Sequence, residues 1–132
     1  MPPKVKFQKE EIVNAALSVA RRSGMDAVTA REVAKELNVS VGPIFTWFET
    51  MEQLKAEVFG RAKEIYRAYI ERGLAGSIPF LEVWRQYLRF AREEPQLYRL
   101  LFLTRPDNVN GGGELSLHAL HRLRLVDRKS VV

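Results

Sequence analysis

Residues 29–48, TAREVAKELNVSVGPIFTWF, gather side chains suited to contact with a polyanionic duplex. Val41, Pro43 and the methyl of Thr46 can meet thymine methyl groups, and the Thr46 hydroxyl can bond a base edge or a phosphate. Gly42 would let the backbone approach such a partner closely. Trp47 carries an indole N–H that can either donate to a phosphate or serve a core. Thr29 offers a helix N-terminus and Arg31 a cation, the two usual partners of phosphate oxygens. None of these is an Arg or Asn reading a base through paired hydrogen bonds. The expected recognition therefore leans on apolar contacts, backbone positioning and duplex shape. The competing role for the same small residues is simply to make a tight turn.

The elements that would hold these residues can be read from spacing. Thr29 and Glu32 form a T-x-x-E capping box, and Val33, Ala34 and Leu37 follow on one helical face. Asn38-Val39-Ser40 interrupts the pattern, and Ser40 is placed to cap a second helix over 41–48 that buries Ile44 and Phe48. Two short helices about a tight turn make a helix-turn-helix, whose second helix can lie in a DNA major groove. Upstream, 10–23 is a helix with Ile12, Ala15, Ala16, Val19 and Ala20 inward, stopped by Gly24. Downstream, Thr50 and Gln53 suggest another capping box ahead of a helix over 51–72. That helix would be about 33 Å long, with Leu54, Val58, Ala62, Ile65 and Tyr69 inward.

Beyond a loop at 73–77, residues 78–92 form an amphipathic helix with Leu81, Trp84, Leu88 and Ala91 in register. Pro95 opens a short helix reaching Leu103, since proline suits a first-turn position. RPDNVNGGG at 105–113 reads as a connection, and 115–126 as a last helix with Leu117, Leu120 and Leu123 on a stripe. The fold class is all-α: a three-helix bundle with a helix-turn-helix, then a long connecting helix and a shortened helical C-terminal domain. The expected division is 1–50 for the first domain and 51–132 for the second.

The bulk properties of the 132-residue chain agree with this reading without selecting it. Apolar content of 46% and charged content of 28% are ordinary for a globular protein. The three N-terminal lysines, Lys4, Lys6 and Lys9, have no apolar segment behind them, which argues against a signal peptide. Zero cysteines exclude disulfides and thiol catalysis and fit a cytoplasmic location. The net charge of +5 suits a polyanion, but most of the surplus lies after residue 64. Many of these charges are expected to be solvated helix faces.

Residues 8–54 resemble the N-terminal domain of the TetR (tetracycline repressor) family of bacterial transcriptional regulators. The resemblance is carried by IVNAALSVARRSG, then T-x-x-E-V-A-K-E-L, then N-V-S-V-G-P-I-F-x-W-F, then a capped E-x-L. It extends more loosely through FLEVWRQYLRFAREEPQLYRLLF. It implies a regulator, more often a repressor, that binds double-stranded operator DNA as a homodimer and is released by a small-molecule effector. It also implies that positions 45 and 47, commonly Tyr and Tyr or His, reach phosphates. Phe45 lacks the hydroxyl and is expected to pack. Met51 stands where the family usually has a phosphate-pairing lysine. Lys4 and Lys6 are candidates for a basic arm, against the alternative of a frayed terminus.

The family's C-terminal helices enclose an effector pocket, and Phe59, Tyr66, Trp84, Tyr87, Tyr98 and Phe102 are the candidates for its lining; an ordinary helical core would use the same rings. His118 and His121 lack the companions of a metal site and suit a solvated face. There is no catalytic constellation, phosphate loop or cofactor motif, so neither an enzyme nor a cofactor is expected. Family members usually continue through further helices that build the dimer. Leu115, Leu117, Leu120, Leu123, Leu125 and Val126 are the residues expected to replace that interface. The alternative function is a shortened helical protein-interaction module with impaired DNA binding.

Overall fold

The computed structural model describes residues 7–103, in which helices and turns account for all regular structure and no strand occurs. Lys4, Lys6, the 105–113 connection, the leucines of 115–126 and both histidines lie outside the described residues. The chain divides into two compact units, Met1–Arg61 and Ala62–Val132. The division falls within a helix, later than residue 50, because Leu54 and Val58 on that helix's early turns are fully buried and belong to the first unit.

In the first unit, α1 (Lys9–Ser23) begins with a reciprocal box between Gln8 and Glu11, a signal missed in the sequence. Glu10 and Glu11 in its first turn and Arg21 and Arg22 in its last complement the helix dipole. Gly24, at φ 91°, ends it where a side chain would be strained. Ile12, Val13, Ala16, Val19 and Ala20 are almost completely buried. They face α2 (Ala30–Leu37) and the 3-10 turn Met25–Ala27. Next come α3 (Gly42–Trp47) and α4 (Met51–Leu74), whose first turns complete this core. Ion pairs link the helices: Arg22 to Glu36 at 3.0 Å, Lys9 to Glu57 at 3.2 Å, and Arg61 to Glu10. Exposed pairs of this kind are worth about 0–1 kcal/mol each, so the apolar core holds the unit.

In the second unit, the end of α4 is followed by α5 (Pro79–Glu93), α6 (Pro95–Tyr98) and a π turn over Arg99–Leu103. Pro95 occupies the first turn of α6 as expected, although the α-helical part stops at Tyr98. Gly73 is the close contact between α4 and α5: a Cβ there would meet the Val83 backbone at 2.7 Å. The core is Tyr66, Tyr69, Ile70, Val83, Phe90, Leu97, Leu100 and Leu101.

The expected inward face of α5 is corrected. Leu81, Trp84 and Leu88 are 42%, 49% and 62% exposed, whereas Val83 and Phe90 are buried. The helix is apolar on two sides, and its approach to Gly73 turns the Val83 side inward.

Candidate nucleic-acid interface

The turn between α2 and α3 is built by local hydrogen bonds. Thr29 Oγ1 accepts from the Glu32 amide at 3.2 Å, a cap worth about 1 kcal/mol. Only this half of the expected box forms, because the Thr29 amide donates to the Ala27 carbonyl instead. At the other end, Asn38 takes the left-handed conformation at φ 57°. Its amide bonds to the Lys35 carbonyl, while the Val39 amide bonds to the Ala34 carbonyl, giving a paired C-terminal closure. Asparagine tolerates this conformation better than most side chains, which is why the chain can reverse here without glycine.

The start of α3 also differs from expectation. Val41, not Ser40, is its cap, and no side chain caps it. Pro43 fits the first turn, where an amide would lack an intrahelical partner. Ile44 and Phe48 are buried and fix one side of the helix against the unit's core. The opposite side presents Val41, Gly42, Phe45, Thr46 and Trp47, all exposed, with Pro43 half-buried. Phe45 is 47% exposed, so its expected packing against protein is not seen among the described residues. Thr29 and Arg31 are exposed at the start of α2.

Two donors in this group are already engaged. The Thr46 hydroxyl donates to the Gly42 carbonyl at 3.2 Å, leaving its lone pairs and methyl outward. The Trp47 indole Nε1 donates to the Phe7 carbonyl at 2.7 Å, so the N–H considered for a phosphate has a protein partner. Gly42 has open space around it: the nearest atom to an added Cβ would be Ser40 Oγ at 3.8 Å. Its lack of a side chain is therefore not required by packing. Met51 is half-buried at the start of α4. The cap there is offset from a standard box, since Gln53 Oε1 accepts from the Glu49 amide at 2.8 Å while Thr50 Oγ1 accepts from Gln53 at 3.3 Å.

The candidate pocket residues separate. Phe59 belongs to the first unit and the other five to the second. Tyr66, Tyr87, Tyr98 and Phe102 meet edge-on or tilted, with centroids 5.1–6.5 Å apart. Trp84 touches Tyr87 at 5.7 Å but is half-exposed. The Tyr87 and Tyr98 hydroxyls lie 2.9 Å apart. Burial, followed by that hydrogen bond, pushes the Tyr87 phenol well above its ordinary value. Nearby in sequence, Gln86 Oε1 is buried without a hydrogen-bond partner among the described residues.

Comparison with known proteins agrees with the geometry of the first unit. Residues 12–58 match the family model described as bacterial regulatory proteins, tetR family. An uncharacterised HTH-type transcriptional regulator of Haemophilus influenzae is 27% identical over 92 residues, covering 67% of this chain and 49% of that protein. The HTH-type transcriptional repressor KstR of Mycolicibacterium smegmatis is 32% identical over 74 residues, covering 55% of this chain and 36% of the repressor. The repressor of the same name from Mycobacterium tuberculosis is 30% identical over 74 residues, covering 55% of this chain and 34% of the repressor. This chain thus spans about half or less of the length of these relatives. No solved structure matches it significantly. With its capped α2, its left-handed Asn38 turn and a family-model match that spans both helices, the first unit is similar to the bacterial regulatory proteins of the tetR family over residues 12–58.

Proposed function

We propose that the chain is a transcriptional regulator, acting as a repressor, that binds operator DNA through α3 in the cytoplasm. The observation that carries this reading is the outward side of α3. It presents small and apolar groups that are exposed among the described residues, on a helix fixed from behind by Ile44 and Phe48. Such a surface suits thymine methyl groups and close backbone approach. Thr29 and Arg31 serve phosphates at the start of α2. Trp47 and Phe45 supply ring surface toward sugars.

Support comes also from the relatives, two of which are named as transcriptional repressors. In the same reading a homodimer places two such helices on half-sites about 34–36 Å apart. A small apolar effector acts on the second unit through Tyr66, Tyr87, Tyr98 and Phe102. The test is binding of the purified chain to duplex from its own upstream region, against unrelated duplex, at two salt concentrations. Preference for the upstream duplex at both salts is expected. Equal affinity for both duplexes would overturn the reading.

A further inference from the structure

Among the described residues, α3 carries two side chains able to donate a hydrogen bond, Thr46 and Trp47, and both donate inside the chain. Thr46 Oγ1 gives its proton to the Gly42 carbonyl at 3.2 Å, and Trp47 Nε1 gives its proton to the Phe7 carbonyl at 2.7 Å. Gly42 and Thr46 stand two residues before and after the buried Ile44, so both fall on the side of α3 away from the core. Pro43, half-buried, lies one turn before Thr46. This side therefore offers a groove the Thr46 methyl and lone pairs, the Pro43 ring and the open space at Gly42.

A helix without a free side-chain donor is blind to most of what the major groove displays. An A·T pair shows two acceptors, adenine N7 and thymine O4, and one donor, the adenine N6 amino group. A G·C pair also shows two acceptors, guanine N7 and O6, and one donor, the cytosine N4 amino group. The acceptors of either pair meet no free side-chain donor on α3, and the amino group of either pair can use the same Thr46 lone pairs. What still separates the pairs is the thymine C5-methyl group. Cytosine gains the same methyl at the same carbon when it is methylated at C5.

Resting on the DNA-binding reading above, we propose that α3 is a reader of pyrimidine C5-methyl groups, with the Thr46 methyl and the Pro43 ring as its contact surface. It separates methylated from unmethylated pyrimidines rather than A·T from G·C. Thymine and 5-methylcytosine are equivalent to it, and uracil and cytosine are equally poor. A site with cytosine at such a position becomes stronger on methylation, which makes C5 methylation of the duplex a control on binding. The firm seating of α3 on Ile44 and Phe48, with Trp47 tied to Phe7, suits this task. A gap of about 0.5–1 Å already forfeits a quarter to a half of a van der Waals contact.

The experiment uses the full chain and the preferred upstream duplex, with wild-type protein first. Each thymine is exchanged in turn for uracil opposite adenine, and for 5-methylcytosine and cytosine opposite guanine. Covering one methyl group is worth about fourfold in affinity. At the positions that α3 covers, thymine and 5-methylcytosine should each bind about fourfold more tightly than uracil and cytosine. Thr46→Ser keeps the hydroxyl and removes the methyl, so it should narrow this preference at the position facing residue 46.

Affinity that follows the pairing partner would overturn the proposal, with thymine matching uracil and 5-methylcytosine matching cytosine. A methyl preference that Thr46→Ser leaves whole at every position would overturn it as well, since its source would then be the duplex and not α3. The four-base comparison needs no variant protein, so it remains decisive even where Thr46→Ser loses helix content. A wild-type chain that binds upstream and unrelated duplexes equally would instead strike the DNA-binding reading itself. That result is distinct from a preferred duplex bound without regard to its methyl groups.

Discussion

Gly42 and Thr46 allow folding and recognition to be measured separately. Gly42 has an ordinary φ and no crowding, so alanine there should leave stability unchanged or raise it by about 0.4–1 kcal/mol. Affinity for the preferred duplex should nevertheless fall, because the added methyl faces the proposed groove. Thermal melting and duplex titration of one protein check both halves. Thr46 already donates its proton to the Gly42 carbonyl, so its methyl and lone pairs are what it offers. Thr46→Ala should lose more affinity for the preferred duplex than for unrelated DNA, and Thr46→Val should lose less than Thr46→Ala if the methyl is the reader. Titration on both duplexes decides. Met51→Lys, at a half-buried position whose long side chain can extend toward solvent, should strengthen binding to every duplex and steepen the salt slope by about 0.9.

At the scale of elements, the helix-turn-helix was legible and the face of α5 was not. Thr29, Asn38, Ile44 and Phe48 act through local bonds and i,i+4 spacing, which a sequence displays directly. In α5, Leu81, Trp84 and Leu88 make as regular a stripe as the buried Val83 and Phe90. The approach of Gly73 to Val83 and the packing of Phe90 against Tyr66 and Tyr69 select between them, and these are contacts between helices. Similarly, no pattern could pair Trp47 with a backbone carbonyl forty residues away. The glycines of α4 provide a test. Gly73→Ala forces backbone apart and should cost about 1–3 kcal/mol. Gly60→Ala, with nothing within 4 Å of its added Cβ, should instead gain about 0.5–1 kcal/mol in a helix interior. Urea denaturation of the two variants should move in opposite directions.

At the scale of the whole molecule, stability should fall at both ends of the pH range through groups of the second unit. The Tyr87 and Tyr69 phenols are held above their ordinary value of 10.0, Tyr87 chiefly by burial and Tyr69 chiefly by its hydrogen bond to Glu93. Their contribution is complete below about pH 10 and is lost as pH rises toward the raised values, because the unfolded chain releases these protons first. The Glu93 carboxyl runs the other way: hydrogen bonds from Arg89 and then Tyr69 hold it below its ordinary 4.5. What it contributes is present above that pH and lost as pH falls through the lowered value. Ultraviolet titration of the phenols, followed with helix content, should show part of the tyrosine signal appearing only as helix is lost. Self-association belongs to this scale too. The exposed side of α5 offers apolar surface at Leu81, Trp84 and Leu88, and the sequence holds further leucines at 115–126, so the full chain should sediment as a dimer at tens of micromolar. A chain ending at Arg105 should dissociate more readily, and monomers in both cases would remove those leucines from the interface.

The chain's two tryptophans lie one in each unit, Trp47 at the end of α3 and Trp84 on the exposed side of α5, both about half accessible at 46% and 49%. Each unit therefore carries its own built-in fluorophore, sensitive to whatever covers it. With Trp84 replaced by phenylalanine, the remaining emission comes from the side chain that holds Phe7. Its colour and its quenching by small solutes would follow occupation of the α3 surface without any attached label. The reciprocal variant, Trp47→Phe, would leave a reporter of the α5 face alone. Duplex and effector titrations could then be followed separately, each on its own single-tryptophan variant, as two independent optical signals.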